Sequence, residues 1–312
     1  MADLSVPLTK NIVLKNPIVV ASGIPGTEAL KLFIEKGVGA VTTKTVTPKP
    51  RRGHPPPNII KLPFGYINAI GLRNPGINGF ISELRGLVEK ARKHGVVVIG
   101  SVGAGSVKGY VDVSSKLEDN GVDMVELNVS CPTAKDVYSV GMDLKYLVEV
   151  VRETKSVLKI PVAVKLTPSY IDMGKVARLV VDAGADVLAA INTVAPATSL
   201  DINTGKPLLG NPEGFGGLSG PAIKPIAVAK IIEIALEVDV PVIGTGGVMD
   251  WRDAVEMILA GASAIGILSA YFSRGFSFIE DILNGLSKYM DARGYKSIMD
   301  FRGMALRYIK KE

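Results

Sequence analysis

Eight short apolar runs rich in β-branched residues recur along the chain, at 17–21, 40–45, 96–101, 124–129, 161–166, 187–192, 240–245 and 264–268. They are apolar at nearly every position rather than at alternate ones, which suits strands covered on both faces, as in parallel sheets. Between them lie polar or glycine-rich loops and amphipathic stretches, clearest at 81–92 and Leu144–Val157, where apolar residues fall three and four apart. Gly37, Gly95, Gly121, Gly184 and Gly261 sit where a helix would stop before the next run. Eight strand–helix units without a visible linker predict a single (β/α)8 TIM barrel spanning 1–312, with a doubly wound open sheet as the alternative. The segment 4–14 reads as an N-terminal β-hairpin, a lid on the core rather than part of it. Two connections, 46–79 and 193–221, are too long for plain βα loops and would cross the C-terminal face. The first carries Pro55-Pro56-Pro57 and favours extended polyproline geometry. A last helix is expected at 278–290.

Composition narrows the function. A chain of 312 residues, 47% hydrophobic and 21% charged, can bury a large core and is not disordered. The net charge is +6, but Lys and Arg are scattered and aromatics are only 6%, which suits anionic small molecules better than nucleic acid. The one cysteine, Cys131, excludes an internal disulfide and fits a reducing, cytoplasmic setting. With only His54 and His94 beside it, no ordinary zinc or iron–sulfur site is expected. No apolar run reaches about 18 residues and no leader precedes the first strand, so neither a membrane span nor a signal peptide is expected.

In a barrel, chemistry sits at the C-terminal strand ends. Here those ends are polar: Lys44-Thr45, Asn128 with Ser130 and Cys131 just beyond, Lys165, Asn192-Thr193, and Thr245-Gly246-Gly247. Polar groups at the mouths of apolar strands cost folding energy unless paired. Each has a plainer reading as well. Cys131 is a small hydrophobe by default, the lysines can reach solvent, the asparagines can cap turns, and the Gly pair can be a tight turn. Taken together, a lone thiol, two lysines and two asparagines fit a planar, oxygen-rich anion. A glycine pair after a late strand fits a phosphate. That combination points to a flavin mononucleotide across the barrel mouth, with the thiol as base. Two other readings stay open: a lyase using Lys165 as a Schiff base on a phosphorylated substrate, and a barrel that binds such a ligand without catalysis.

These residues resemble the class 1 dihydroorotate dehydrogenases, and within them the catalytic FMN subunit of subgroup 1B. The resemblance covers about residues 8–270. It rests on Thr43-Lys44-Thr45 with Pro55-Pro56-Pro57; on Asn68-Ala69-Ile70-Gly71-Leu72-Arg73-Asn74-Pro75-Gly76; on Asn128-Val129-Ser130-Cys131-Pro132; on Val164-Lys165-Leu166; on Gly216-Gly217-Leu218-Ser219-Gly220-Pro221; and on Gly244 to Gly247. It implies FMN-dependent oxidation of dihydroorotate to orotate in pyrimidine biosynthesis. Cys131 would take the C5 proton while hydride leaves C6 for flavin N5, with Lys44 and Lys165 also at the catalytic centre. Lys44, Asn68, Ile70, Gly71, Leu72, Asn128, Thr133, Asn192 and Thr193 would hold the substrate. Ala21, Ser22, Gly23, Lys44, Thr45, Asn128, Lys165, Ile191, Gly220, Gly246, Gly247 and Ser269 would hold FMN. A second subunit with FAD and an iron–sulfur cluster is implied, around a homodimer core or as a heterotetramer. Two positions depart from the family pattern. Thr133 stands where an asparagine is usual, which leaves room for another dihydropyrimidine as substrate. Leu268-Ser269-Ala270 replaces the usual Gly-Thr-Ala.

Overall fold

The structure is a computed structural model that describes residues 2–24, 26–131 and 134–309. In chain order its strands are β1 (Val6–Thr9), β2 (Ile12–Leu14), β3 (Ile18–Val20), β4 (Ala40–Thr42), β5 (Ile59–Leu62), β6 (Gly65–Asn68), β7 (Val97–Val102), β8 (Met124–Asn128), β9 (Val162–Leu166), β10 (Val187–Ala190), β11 (Val194–Ala197), β12 (Gly216–Ser219), β13 (Val242–Thr245) and β14 (Ala264–Ile267). Its α-helices are α1 (Thr27–Glu35), α2 (Gly76–Lys93), α3 (Val107–Asp119), α4 (Lys135–Met142), α5 (Leu144–Val157), α6 (Met173–Asp182), α7 (Lys224–Ala235), α8 (Trp251–Ala260), α9 (Ser269–Arg274) and α10 (Ser277–Arg293).

The eight apolar runs become β3, β4, β7, β8, β9, β10, β13 and β14, in that order around a closed, all-parallel barrel. Both faces of these strands are covered, by the barrel interior and by the helix ring. This is why Val162, Val164, Val187, Leu188 and Val242 are fully buried along with their neighbours. The five glycines expected to end helices all have positive φ, from 59° at Gly95 to 120° at Gly261. Helix starts are set by side chains: Ser106 and Asp172 each accept a first-turn N–H, and Asp250 and Asp253 form a reciprocal capping box on α8.

One expectation needs correction. The N-terminal hairpin β1–β2 forms, but it belongs to the core: Val6, Leu8, Ile12 and Leu14 are buried within the main apolar cluster. Burying each such side chain contributes about 1.5–3 kcal/mol, so the hairpin helps hold the barrel together. The two long connections are not loops alone. They supply β5–β6 and β11–β12, which join in one antiparallel sheet of order β11-β12-β6-β5. Gly217 pairs with Asn68, so segments far apart in the chain are fixed against each other beside the strand ends.

Candidate active site

A cleft of about 280 Å³ opens where this small sheet meets the barrel. It is lined by the residues after β3 (Ala21, Ser22, Gly23), after β4 (Lys44, Thr45), by Asn68 of β6 and by the following Ile70-Gly71-Leu72. Asn128, Cys131, Lys165, Ile191, Asn192 and Thr193 line it from the strands β8 to β10, and Gly220, Gly246, Gly247 and Ser269 complete it. Every site residue expected from the sequence and described in the structure therefore faces one cleft. Thr133 lies outside the described residues. Sequence reasoning missed Ile59, Tyr66 and Phe272, which also line the cleft. Tyr66 and Phe272 have ring centroids 5.8 Å apart, and Tyr66 hydroxyl contacts Ser273 at 3.1 Å. No local signal marked them, because Ile59 and Tyr66 reach the site only through the pairing of β5 with β6. Arg73 lines the cleft too, and the motif that contains it was the available signal.

Lys44 and Lys165 bring two ammonium groups to the cleft, and Lys165 is only 6% exposed. Among the described residues, no carboxylate lies within ion-pair distance of either. Burial pulls the Lys44 ammonium below the ordinary lysine range; the Cys131 sulfur pushes it up and Lys165 pulls it down further. A site with two cations and no built-in counter-charge favours an anionic ligand.

Cys131 is 9% exposed and packs with Leu72, Ala134 and Val137. The end of β8 that leads to it is held rigidly. Tyr110, fully buried, donates its hydroxyl to the Asn128 carbonyl at 3.0 Å, and burial holds its phenol far above the usual range. Asn128 Nδ2 donates to Thr45 Oγ1 at 2.9 Å. Asn192 Nδ2 donates to the Ser130 carbonyl at 3.1 Å and to Ser130 Oγ at 2.9 Å, tying β10 to the residue before the thiol. On the other side of the Cys131 segment, Arg51 pairs with Asp136, and Lys135 with Glu213 at 3.3 Å. At Gly141 a side chain would collide with the Val129 carbonyl, and the Tyr170 hydroxyl donates to the Gly141 carbonyl at 2.8 Å.

The other end of the cleft suits a phosphate. The backbone N–H groups of Gly246, Gly247 and Val248 meet no acceptor among the described residues. Gly247 has φ 78°, and a Cβ on it would lie 2.7 Å from Lys224 Cβ and 2.9 Å from the Gly220 carbonyl. Unpaired donors in a wall this close are affordable where an anion accepts from them. Lys224 itself is held by Asp253 at 2.6 Å and Glu256 at 2.7 Å, which push its ammonium up to about 12. The donors that this end of the cleft offers to an anion are thus backbone groups. Leu268, where the family pattern has glycine, leans over Gly23, whose missing side chain leaves 2.5 Å between a built Cβ and Leu268 Cδ2. The extra bulk is absorbed by Gly23.

Comparison with known proteins agrees with this geometry. A sequence model of the dihydroorotate dehydrogenase family matches residues 6–290. Among curated proteins, the chain is 41% identical to the dihydroorotate dehydrogenase B (NAD(+)) catalytic subunit of Pyrococcus abyssi, over 94% of this chain and 96% of that protein. It is 41% identical to the same-named subunit of Methanocella arvoryzae, over 96% and 97%. To that of Thermoplasma acidophilum it is 39% identical, over 98% and 100%. The polar strand ends, the glycine cradle and this near full-length similarity lead to one assignment: the chain belongs to the dihydroorotate dehydrogenase family.

Proposed function

We propose that the protein oxidises dihydroorotate to orotate in pyrimidine biosynthesis, with FMN in the cleft. The observation that carries this reading is the convergence of a buried thiol, two cations without carboxylate partners and a cradle of unpaired backbone N–H groups in a single cleft. Gly220, Gly246, Gly247 and Ser269 would hold the phosphate end of FMN. Ala21, Ser22, Gly23, Thr45 and Ile191 would flank its ring. FMN, when bound, supplies the acceptor for the hydride.

The chain's own residues do the rest. Cys131 takes the proton from the carbon next to the one that gives up hydride. Lys44, Asn68, Asn128, Asn192 and Thr193 hold the substrate ring and its carboxylate, with the backbone of 70–72 as one wall. Lys165 supplies positive charge where electron density accumulates. The low exposure of Cys131 and Lys165 keeps water from the reacting atoms.

The relatives are named as catalytic subunits of an NAD(+) enzyme. This supports a second subunit that links the protein to NAD⁺, and the class 1B resemblance implies that this subunit carries FAD and an iron–sulfur cluster. No described helix is long and apolar enough to cross a membrane, and a cytoplasmic assembly built on a homodimer or heterotetramer is the arrangement we favour. The deciding experiment is an anaerobic titration with dihydroorotate followed by flavin absorbance. Stoichiometric bleaching of a yellow protein is expected. A colourless preparation that FMN cannot reconstitute, or flavin reduction by dihydrouracil in place of dihydroorotate, would overturn the reading.

A further inference from the structure

Beneath the cleft, Glu126 is buried inside the barrel at 4% exposure and is not among the residues that line the cleft. Strand alternation puts it on the same face of β8 as Asn128. Its only described side-chain partner is Ser101, whose hydroxyl donates to Glu126 Oε1 at 3.1 Å. A carboxylate in a barrel interior is costly, and an apolar residue of like size would pack there more cheaply. What a carboxylate offers that no apolar or amide side chain can is an end that only accepts hydrogen bonds.

Counting protons outward from Glu126 gives a chain with one direction. Ser101 has a single hydroxyl proton and spends it on Glu126. Its 3.0 Å contact with Thr45 Oγ1 must therefore use the Thr45 proton. That leaves Thr45 as acceptor toward Asn128, so the Asn128 amide turns Nδ2 to Thr45, at 2.9 Å. Ser22, whose own proton goes to the Thr43 carbonyl at 2.8 Å, can only accept from Thr45 Oγ1, and at 3.3 Å it is the longer of the two contacts. With Nδ2 so placed, Asn128 Oδ1 faces Ser130, whose N–H and hydroxyl approach it at 3.4 and 3.5 Å. Ser130 Oγ in turn accepts from Asn192 Nδ2 at 2.9 Å, and Asn192 Oδ1 accepts from Thr193 N–H at 2.8 Å. Ser101, Thr45 and Asn128, on three segments, thus donate successively toward Glu126, whereas Asn192 is oriented by backbone groups, its Nδ2 toward the Ser130 carbonyl and its Oδ1 toward the Thr193 N–H.

We propose that Glu126 is a positioning residue which, as the terminal acceptor of this chain, fixes which end of the Asn128 amide is offered to the substrate ring. The proposal rests on the reading of the cleft as the FMN and dihydroorotate site. With Glu126 in place, Asn128 keeps one N–H uncommitted and acts as a donor toward the ligand. Glutamine at 126 has the same shape but can donate to Ser101. The stretch from Ser101 to Asn128 can then run backwards, and the two ends of the Asn128 amide exchange, while Asn192 stays held by the Ser130 carbonyl and the Thr193 N–H.

Two measurements test this. In protein labelled with 15N at asparagine and freed of ligands, Glu126→Gln should shift the side-chain amide signals of Asn128 strongly, and those of the backbone-held Asn192 and of distant asparagines much less. In the yellow holoprotein, orotate titrated against flavin absorbance should bind about tenfold more weakly to Glu126→Gln and to Ser101→Ala alike. The double variant should be no weaker than either single one, because both substitutions break one chain. Ser101→Ala keeps Glu126 itself and so guards against a misfolded E126Q. Unmoved Asn128 signals, unchanged orotate affinity, or additive losses in the double variant would overturn the proposal. If the wild-type protein takes up neither FMN nor orotate, the functional reading fails, while the amide signals of the ligand-free protein still decide whether Glu126 orients the chain.

Discussion

Lys44 and Lys165 face each other's charge in one cleft without a carboxylate to balance them, and burial followed by this repulsion lowers the Lys44 ammonium. The folded protein therefore releases that proton at lower pH than the unfolded chain, whose lysines titrate near ~10.4. The buried charge destabilises the fold at neutral pH, and this cost fades as pH rises from the folded toward the unfolded value. FMN-depleted Lys44→Met should melt higher than wild type at neutral pH, and the gap should close in the alkaline range. The same variant should bind orotate about ten- to hundredfold more weakly. Matched melting curves and a ligand titration check both signs.

Cys131 packs against Leu72, Ala134 and Val137, so truncating it leaves the substrate contacts in place. Cys131→Ala should hold orotate almost as well as wild type but slow flavin reduction by about 10²–10⁴. Cys131→Ser should regain part of the rate only at higher pH, since a hydroxyl yields its proton far less readily than a thiol. Stopped-flow absorbance with dihydroorotate reads both. Equal rates in all three proteins would remove Cys131 from the chemistry.

The segment after Cys131 is held from two sides by Arg51–Asp136 and Lys135–Glu213. These pairs are partly exposed, so salt screens them. Arg51→Ala should raise the KM for dihydroorotate about two- to fivefold at low salt. The difference from wild type should shrink as ionic strength rises. Steady-state kinetics at two salt concentrations decides it; a difference that persists unchanged at high salt would point to lost packing instead.

Gly247 sits at φ 78° against the Lys224 backbone and the Gly220 carbonyl. Gly247→Ala adds strain of about 1–3 kcal/mol and fills the space that a phosphate would enter. The variant should fold with a lowered melting temperature and purify with little flavin, and excess FMN should restore the yellow colour only partly. A fully flavinated Gly247→Ala protein would place the phosphate elsewhere.

Much of the fold was legible because barrel strands covered on both faces leave a purely local mark. The eight apolar runs and the glycines at 37, 95, 121, 184 and 261 needed no tertiary knowledge, since burial and positive φ are written residue by residue. The strand-end residues Lys44, Asn128, Lys165 and Asn192 followed from the barrel rule that places such ends on one face. The small sheet over the mouth was not legible. Its four strands are short, two of them contain glycine, and Asn68 meets Gly217 across 149 residues, a pairing no local pattern encodes. Tyr66 reaches the cleft only through that sheet.

The sequence by itself determined eight strands covered on both faces, with a thiol, two lysines and a glycine pair at their ends, and the tertiary structure decided that they close into a barrel. Only the tertiary structure decided that the N-terminal hairpin is core and that Tyr66 and Phe272 line the cleft. It alone joined Glu126 to Asn128 through Ser101 and Thr45. The reason is physical: burial pattern and backbone sign are properties of neighbours in sequence, whereas the direction of a hydrogen-bond chain depends on side chains from three different strand segments meeting in one interior.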